Sequence, residues 1–448
     1  MEKFFAKYTV SQILIGSFIA LIAAGTFLLV LPICSDDKVT FLEAFFTATS
    51  ATCVTGLMTV SALEDFNIIG QTIILFLIQV GGLGLMTFVT LSMSIISNKL
   101  GLKEKTFFRE SLNKVDYSDV RSYLHMIFKY TFSIEFIGFL ILLTQFYDGS
   151  PFSIFQTLFL SVSAFCNAGI DVFGSTSLMA YDTNLAVNLT VCALIILGGL
   201  GFAVIFDITY HLRIFKKLRK SFRESLSIHS RLVLSLTGAL IVSGMIFIFF
   251  FEYNNVLAPY GFLEKLEVSF FNSVTLRTAG FATVDYSLLN SPTKIIMIIY
   301  MLIGASPGGT GGGIKTTTFF LLLYSVYVQY KSEENMHIYK HHIHKTNFIK
   351  ATSIFFLYLF CIVGGIIVLT SIETEITAMD LLFEVVSAIG TVGLSTGITA
   401  DLCSVSKLVI IILMFIGRLG PITVALSFGH NKKGNTSIKY PKTEIIVG

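Results

Sequence analysis

The sequence predicts an all-α membrane protein: eight transmembrane helices in four span–loop–span repeats around one axis. Three observations predict it. The 448-residue chain is 54% hydrophobic and 13% charged, with mean hydropathy +0.79, whereas soluble domains carry about 25% charged residues. Its polar surface is too small to face water, so it needs lipid as solvent. Apolar runs of spanning length, which takes about 20 residues, recur at 9–33, 70–97, 124–147, 184–212, 229–252, 293–330, 348–371 and 405–428. Between odd and even runs lie four shorter, semi-polar segments that align without gaps: Glu43–Leu57, Gln156–Ile170, Glu267–Phe281 and Asp380–Leu394.

The alignment carries the repeat. Gly56, Gly169, Gly280 and Gly393 share a column and recur at intervals of 113, 111 and 113 residues. Phe46, Phe159, Phe270 and Phe383 share another, and Glu43, Gln156, Glu267 and Asp380 a polar one. Near-constant spacing over the whole chain marks internal repetition. It divides the sequence into repeats at 1–123, 124–228, 229–346 and 347–430, followed by a tail at 431–448. A helix of about 12 residues covers only about 18 Å, too little to cross, so each short segment enters and leaves by one face and all four repeats point the same way. Irregular backbone at membrane depth is tolerated where it lines water or is buried in protein. Four such loops about one axis make a pseudo-fourfold central pore.

Orientation follows from the cations. Lys99, Lys103, Lys105, Arg109, Lys114 and Arg121 follow the second run, and Arg213, Lys216, Lys217, Arg219, Lys220 and Arg223 the fourth. By the positive-inside rule both termini are cytoplasmic and the short segments face outward. Asp36, Asp37, Glu64, Asp65, Asp148, Asp171, Asp182, Asp285, Glu373, Glu375 and Asp401 lie on that outer side, where an acidic cleft would concentrate cations, although solvated loops account for most of them. Trp is absent, so interfacial aromatics must come from the 17 Tyr and 43 Phe. The six Cys form no C-x-x-C pair, so no metal or disulfide framework is indicated.

Each short segment reads as a half-helix followed by an extended strand. The half-helix aims its negative carboxyl pole at the membrane centre, and strand carbonyls replace an ion's lost hydration. The candidate filter is Thr52, Cys53, Val54, Thr55 and Gly56; Phe165, Cys166, Asn167, Ala168 and Gly169; Leu276, Arg277, Thr278, Ala279 and Gly280; and Ile389, Gly390, Thr391, Val392 and Gly393. The column Cys53, Cys166, Arg277, Gly390 varies while glycine persists, as expected if backbone carries the chemistry. Arg277 is expected to point behind the filter and pair with Glu267, Glu384 or Asp380. Cys53 and Cys166 are expected to be small packing residues.

The sixth run is interrupted by IGASPGGTGGGIK. It resembles a phosphate-binding loop, but Ile314 separates Gly313 from Lys315, whereas that motif needs the Lys directly after the glycine. Pro307 and Gly308, Gly309, Gly311, Gly312 and Gly313 cannot hold a helix, and Ser306 and Thr310 keep the stretch polar. Lying under the filter, Gly304 to Lys315 reads as a gate. Arg418, at similar depth in the eighth run, is a functional candidate by default, donating to the loop's carbonyls and opposing cations. GGLG at Gly81–Gly84 and Gly198–Gly201 reads as close helix packing. Glu135 and Asp207 are expected to pair locally, and HIYKHHIHK (His337–Lys345) reads as a solvated or partner-contacting loop. No hydrolase or Walker motif is present, so the chain is not read as an enzyme. A solute transporter working by alternating access would need inverted repeats, and these share one orientation.

The loops TCVTGL, FCNAGI, LRTAGF and GTVGLS, with GASPGGTGGGIK and Arg418, resemble the Ktr/Trk/HKT superfamily of potassium transporters over nearly the whole chain. Entry into the first repeat within about ten residues resembles its bacterial KtrB-type membrane subunits. The resemblance implies potassium selectivity, K+ held at the filter carbonyls, and uptake that is often Na+-dependent. It also implies a homodimer with one pore per subunit and a cytoplasmic, nucleotide-binding RCK-domain ring controlling the gate, with no cofactor in this chain. Cys53 and Cys166 stand where small or hydroxyl residues are expected, which leaves a Na+-conducting or non-selective cation transporter as the alternative.

Overall fold

The computed structural model describes residues 9–35, 39–84, 120–174, 176–214, 226–331, 337–339 and 341–428. Four long helices, α1 (Val10–Leu29), α4 (Val120–Phe146), α8 (Ile228–Glu252) and α12 (Lys345–Ile372), are long and apolar enough to cross a membrane. Each is followed by a short helix: α2 (Phe41–Cys53), α5 (Pro151–Cys166), α9 (Phe262–Thr275) and α13 (Ala378–Gly390). Then come the inner spans: α3 (Ile68–Leu83), α6 with α7 (Leu185–Gly199, Phe202–Ile214), α10 with α11 (Ser291–Leu302, Thr316–Tyr330) and α14 with α15 (Ser404–Leu419, Pro421–Phe428).

The repeats close into a ring. Helix α3 packs on α5, α6 on α9, α10 on α13, and α14 returns to α2. The core therefore surrounds the short helices, whose Phe46, Phe159 and Phe383 are fully buried, while lipid-sized residues such as Phe250 (71% exposed) and Phe360 (76%) cover the outside. The polar column has a local purpose. The Glu43 carboxylate accepts from Thr40 N at 2.8 Å, and Asp380 N donates to Thr377 Oγ1 at 3.2 Å, capping the amino ends of α2 and α13. Gln156 donates to Val172 O at 2.8 Å and Glu267 accepts from Asn188 at 2.9 Å, tying the other two short helices to their surroundings.

Two runs expected to be continuous are not. The fourth bends by 101° between α6 and α7, and the eighth by 94° between α14 and α15. Each elbow carries a glycine in the left-handed region, Gly201 (φ 90°) and Gly420 (φ 82°). Hydropathy stays high across both elbows, so composition could not reveal them. Residues 85–97 of the second run, the basic stretches 98–119 and 215–225, and the tail lie outside the described residues. His337–Ile338 and His341–His342 pair as a small antiparallel hairpin.

Candidate functional site

The four short helices converge on one ring of glycines. Gly56, Gly169, Gly280 and Gly393 have φ of 102°, 65°, 80° and 91°, a region costly for any residue with a Cβ. A Cβ added to Gly56 would lie 2.6 Å from Ala168 O, on Gly169 2.7 Å from Ala279 O, on Gly280 2.6 Å from Val392 O, and on Gly393 2.2 Å from Thr55 O. Each repeat thus presses a carbonyl against its neighbour's glycine, and the fourth closes on the first.

The connecting backbone is shorter than an extended five-residue strand. Thr52, Cys53, Phe165, Cys166, Ile389 and Gly390 are the last helical residues of their repeats, and Leu276 caps α9 in the αR region. Val54, Asn167, Thr278 and Thr391, one alignment column, then turn left-handed at φ 56°, 60°, 62° and 51°. The reversal follows from capping: Val54 N, Asn167 N and Thr391 N still bond back into their helices. So do the next amides, with Thr55 N on Ser50 O at 2.9 Å, Ala168 N on Ser163 O at 2.9 Å and Val392 N on Ser387 O at 2.8 Å. Amides engaged outward leave carbonyls as the groups available to a cation on the axis.

A second aligned column, not singled out from sequence, holds this geometry. Ser50 Oγ accepts from Gly56 N at 3.0 Å and Ser387 Oγ from Gly393 N at 3.1 Å, while Ser163 Oγ donates to Ile170 O at 2.5 Å. The third repeat has Val274 in that column, and Thr275 takes over by donating to Phe281 O at 2.8 Å. The gapless alignment already contained this signal. Cys53 and Cys166 are fully buried. Glycines of the inner spans cover the ends of the short helices: a Cβ on Gly81, Gly198 or Gly417 would lie 2.1, 1.9 or 2.1 Å from Thr52 O, Phe165 O or Ile389 O.

Arg277 corrects an expectation. Among the described residues no acid pairs with it, and its Nη1 is buried without a hydrogen-bond partner. All three expected partners have closer donors: Asn188 on Glu267 at 2.9 Å, Ser395 and Thr399 on Glu384, and Lys294 on Asp380 at 2.9 Å. Its own carbonyl accepts from Asn167 Nδ2 at 3.2 Å, joining the second and third repeats. Glu135 accepts from Gln79 at 3.1 Å, and Asp207 pairs with His211 at 3.0 Å and Ser227 N at 2.9 Å.

Gly304–Lys315 lies directly against the inner side of the ring. A bridge between Ile303 and Ile314 draws its ends together. On one side Ser306 N and Thr310 N donate to Gly199 O and Gly198 O at 3.0 and 3.1 Å, and Phe202 N donates to Gly308 O at 3.1 Å, so the loop rests on the α6–α7 elbow. Toward the axis, three consecutive loop residues meet three consecutive repeats through the left-handed column. Thr310 Oγ1 lies 3.2 Å from Asn167 Oδ1. A Cβ on Gly311 would sit 1.9 Å from Thr278 Oγ1, and Gly312 N donates to Thr391 Oγ1 at 3.1 Å. Gly309 is set against Gly199 O, Gly313 has φ 68°, and Ser306 Oγ bonds Thr316 Oγ1 at 3.1 Å beside Pro307. Two cations hold the loop: Lys315 Nζ donates to Gly311 O at 2.7 Å, and Arg418 donates to Thr310 O and to Gly81 O, with Gly82 O at 3.4 Å. Arg418 thereby ties the loop to the first repeat, the one the loop does not itself touch through that column.

On the opposite side of the ring a cavity of about 780 Å³ opens, lined by all four ring glycines and by Glu64, Asp65, Asp171 and Asp285. Asp171 accepts from Ser177 Oγ at 2.5 Å and Phe173 N at 3.1 Å, and burial raises its carboxyl to about 6 despite those bonds. Among the other outer acids, Asp182 accepts from Tyr260 at 2.5 Å and Glu373 from Cys403 N at 2.8 Å, and Asp36 and Asp37 lie outside the described residues.

Comparison with known proteins gives four findings. A family model described as TrkH, cation transport protein, matches residues 2–438. The chain is 37% identical over 446 residues to the Ktr system potassium uptake protein B of Bacillus subtilis, covering 99% of this chain and 97% of that one. It is likewise 37% identical to the potassium/sodium uptake protein NtpJ of Enterococcus hirae, covering 98% and 97%. The crystal structure of the potassium transporter TrkH from Vibrio parahaemolyticus shares the fold with a TM-score of 0.73 at 16% identity, over 94% of this chain and 84% of that one.

Proposed function

The chain belongs to the TrkH family of cation transport proteins, and from that premise we propose that it takes potassium into the cell through a single-file pore. It is a multi-pass membrane protein, and we read both termini as cytoplasmic. The observation that carries the reading is the closed ring of four glycine–carbonyl contacts with an acidic cavity on one side and a polar loop on the other. The four short helices point their carboxyl ends at the ring, each contributing up to about half a negative charge. The cavity's carboxylates raise the cation concentration at the entrance, and ring carbonyls replace hydration water. The loop with Lys315 and Arg418 obstructs the inner side by volume and by charge, and opening requires the Arg418–Thr310 bond to break. We assign no catalytic step to the chain.

Sodium enters as an activating ion or second permeant, a reading supported by the Enterococcus relative, a potassium/sodium uptake protein. The Ktr-system relatives support a partner subunit. We take the assembly to be a homodimer with one pore per chain, seated on a nucleotide-binding RCK ring that moves the loop. The test is radioactive rubidium influx into proteoliposomes holding this chain, competed separately by potassium and sodium, with and without deletion of Gly308–Gly312. Influx blocked by potassium, poorly by sodium, and raised by the deletion is the expected result. Equal competition by sodium would overturn the potassium preference, and a deletion without effect would overturn the gate.

A further inference from the structure

One acid sits within an outer span without a cationic partner. Glu135 lies near the middle of α4 and is 3% exposed. Among the described residues no lysine, arginine or histidine pairs with it. An ionisable side chain at such depth is costly and is a functional candidate by default. Its carboxyl oxygens accept instead from Gln79 Nε2 on α3, at 3.1 and 3.4 Å. Gln79 Oε1 in turn accepts from the Cys166 thiol at 3.8 Å. That thiol is pressed against the same helix, since a Cβ on Gly82 would lie 2.6 Å from Cys166 Sγ. Earlier in α5, Ser161 Oγ donates to the backbone carbonyl of Glu135 at 2.6 Å. One residue of the outer helix is thus tied to the body of the second short helix directly and to its last residue through Gln79.

We propose that Glu135 is a positioning residue for ion discrimination: through Gln79 it fixes the Cys166 end of α5, from which the second loop turns into the ring. The proposal rests on the pore reading above. Its chemistry lies in the order of the groups. An amide has a donor end and an acceptor end, and a thiol is only a weak donor. A carboxyl beside Gln79 draws the donor end to itself and leaves the acceptor end for Cys166. An apolar neighbour would select neither orientation, and the thiol contact is too weak to select one alone. At the repeat intervals of 113, 111 and 113 residues Glu135 falls on Ile22, Ile246 and Leu359, and Gln79 on Cys192, Ile303 and Ile416, so the link belongs to the second repeat alone. Three residues after Cys166, a Cβ on Gly169 would lie 2.7 Å from Ala279 O of the next repeat. A shift of Cys166 therefore reaches the ring within one short stretch of backbone. Carbonyls that replace hydration water discriminate between ions by how many reach the ion and how closely. A small displacement is felt there as altered selectivity before it is felt as lost influx.

The experiment is initial rubidium influx into proteoliposomes holding the full-length chain, inhibited by graded sodium and separately by graded potassium. The variants are Gln79→Leu, Glu135→Leu, both leucines together, Gln79→Glu, and the exchange of Gln79→Glu with Glu135→Gln. Either leucine should lower the sodium concentration for half-inhibition by about three- to tenfold, the effect of one hydrogen bond, with maximal influx changed less. Both leucines together should do no more than one, because they cut a single link. Gln79→Glu sets two carboxyls against each other and should also lose discrimination. The exchange again places a donor against a carboxyl and an acceptor against Cys166, and should restore the wild-type ratio of sodium to potassium inhibition. An inserted exchange protein that discriminates no better than Gln79→Glu overturns the proposal, as do leucine variants that lower influx and leave sodium inhibition unchanged. If Glu135→Leu fails to insert, Gln79→Leu and the exchange decide. Sodium that inhibits the wild-type protein as well as potassium does refutes the potassium preference and this role with it, and the wild-type measurement alone reveals that case.

Discussion

Replacing Arg418 by glutamine should open the pathway. In the closed arrangement the guanidinium bridges Thr310 O on the loop and Gly81 O on α3. Displacing the loop breaks the first bond and leaves the second, so the closed state loses one charge-assisted hydrogen bond. Such a bond contributes about 1.5–3 kcal/mol, which converts to an open-to-closed ratio about 10- to 150-fold higher. Ser306 N and Thr310 N still hold Gly199 O and Gly198 O, so the loop remains tethered and the effect should stay below that of deleting the loop. The assay is initial rubidium influx into proteoliposomes, normalised to inserted protein and compared at equal orientation. Influx equal to or below the wild-type value, from correctly inserted Arg418→Gln protein, would refute the latch and recast Arg418 as a packing anchor.

Other outcomes follow from neighbouring geometry. Gly393→Ala places a Cβ 2.2 Å from Thr55 O at φ 91°; the left-handed conformation alone costs about 1–2 kcal/mol, and rubidium influx should be abolished, with a lowered unfolding temperature in detergent. Ser387→Ala deprives Gly393 N of its acceptor, a loss of about 1–3 kcal/mol if the amide stays unpaired, and should raise sodium's ability to compete with rubidium more than it lowers influx. At Asp171, with its carboxyl raised to about 6, lowering external pH from about 7 to 5 takes the group from roughly nine-tenths to roughly one-tenth ionised. The negative charge is present above that value and lost below it, so influx should fall on acidification with a midpoint near 6, and Asp171→Asn should flatten the profile at the lower level.

The repeats and the glycine ring were legible because backbone chemistry constrains a column even when side chains drift. Cys53, Cys166, Arg277 and Gly390 share little, yet the glycines three positions on stay in register. Gly304–Lys315 was legible because proline and clustered glycines cannot extend a membrane helix. The elbow at Gly201 was hidden because its GGLG reads as a helix-packing contact, and that at Gly420 because the apolar run continues beyond it. The glycine pair Gly81–Gly82 does both jobs, admitting Thr52 O and Cys166 against the helix and offering carbonyls to Arg418. The part played by Asn167, Thr278 and Thr391 under the ring was hidden for another reason. Their loop partners lie 143, 33 and 79 residues away, in a different repeat for Asn167 and Thr391, beyond any local pattern.

The unequal lengths of the outer and inner helices have an electrical consequence. The four outer helices run 20, 27, 25 and 28 residues, about 30–42 Å, enough to cross the bilayer. The inner ones stop at 16, 15, 12 and 16 residues, about 18–24 Å, before they end, turn or break. The cavity already brings solvent space to the ring glycines from one side, so the insulating layer along the axis is thinner than the membrane around it. A resting voltage supplies about 2.3 kcal/mol per unit charge for each 100 mV, whatever the thickness across which it falls. Confined to the glycine ring and the loop beneath it, the same voltage yields a steeper field and a stronger pull on each ion at the narrowest point. A loop held by two cationic side chains stands in that gradient and feels it as well.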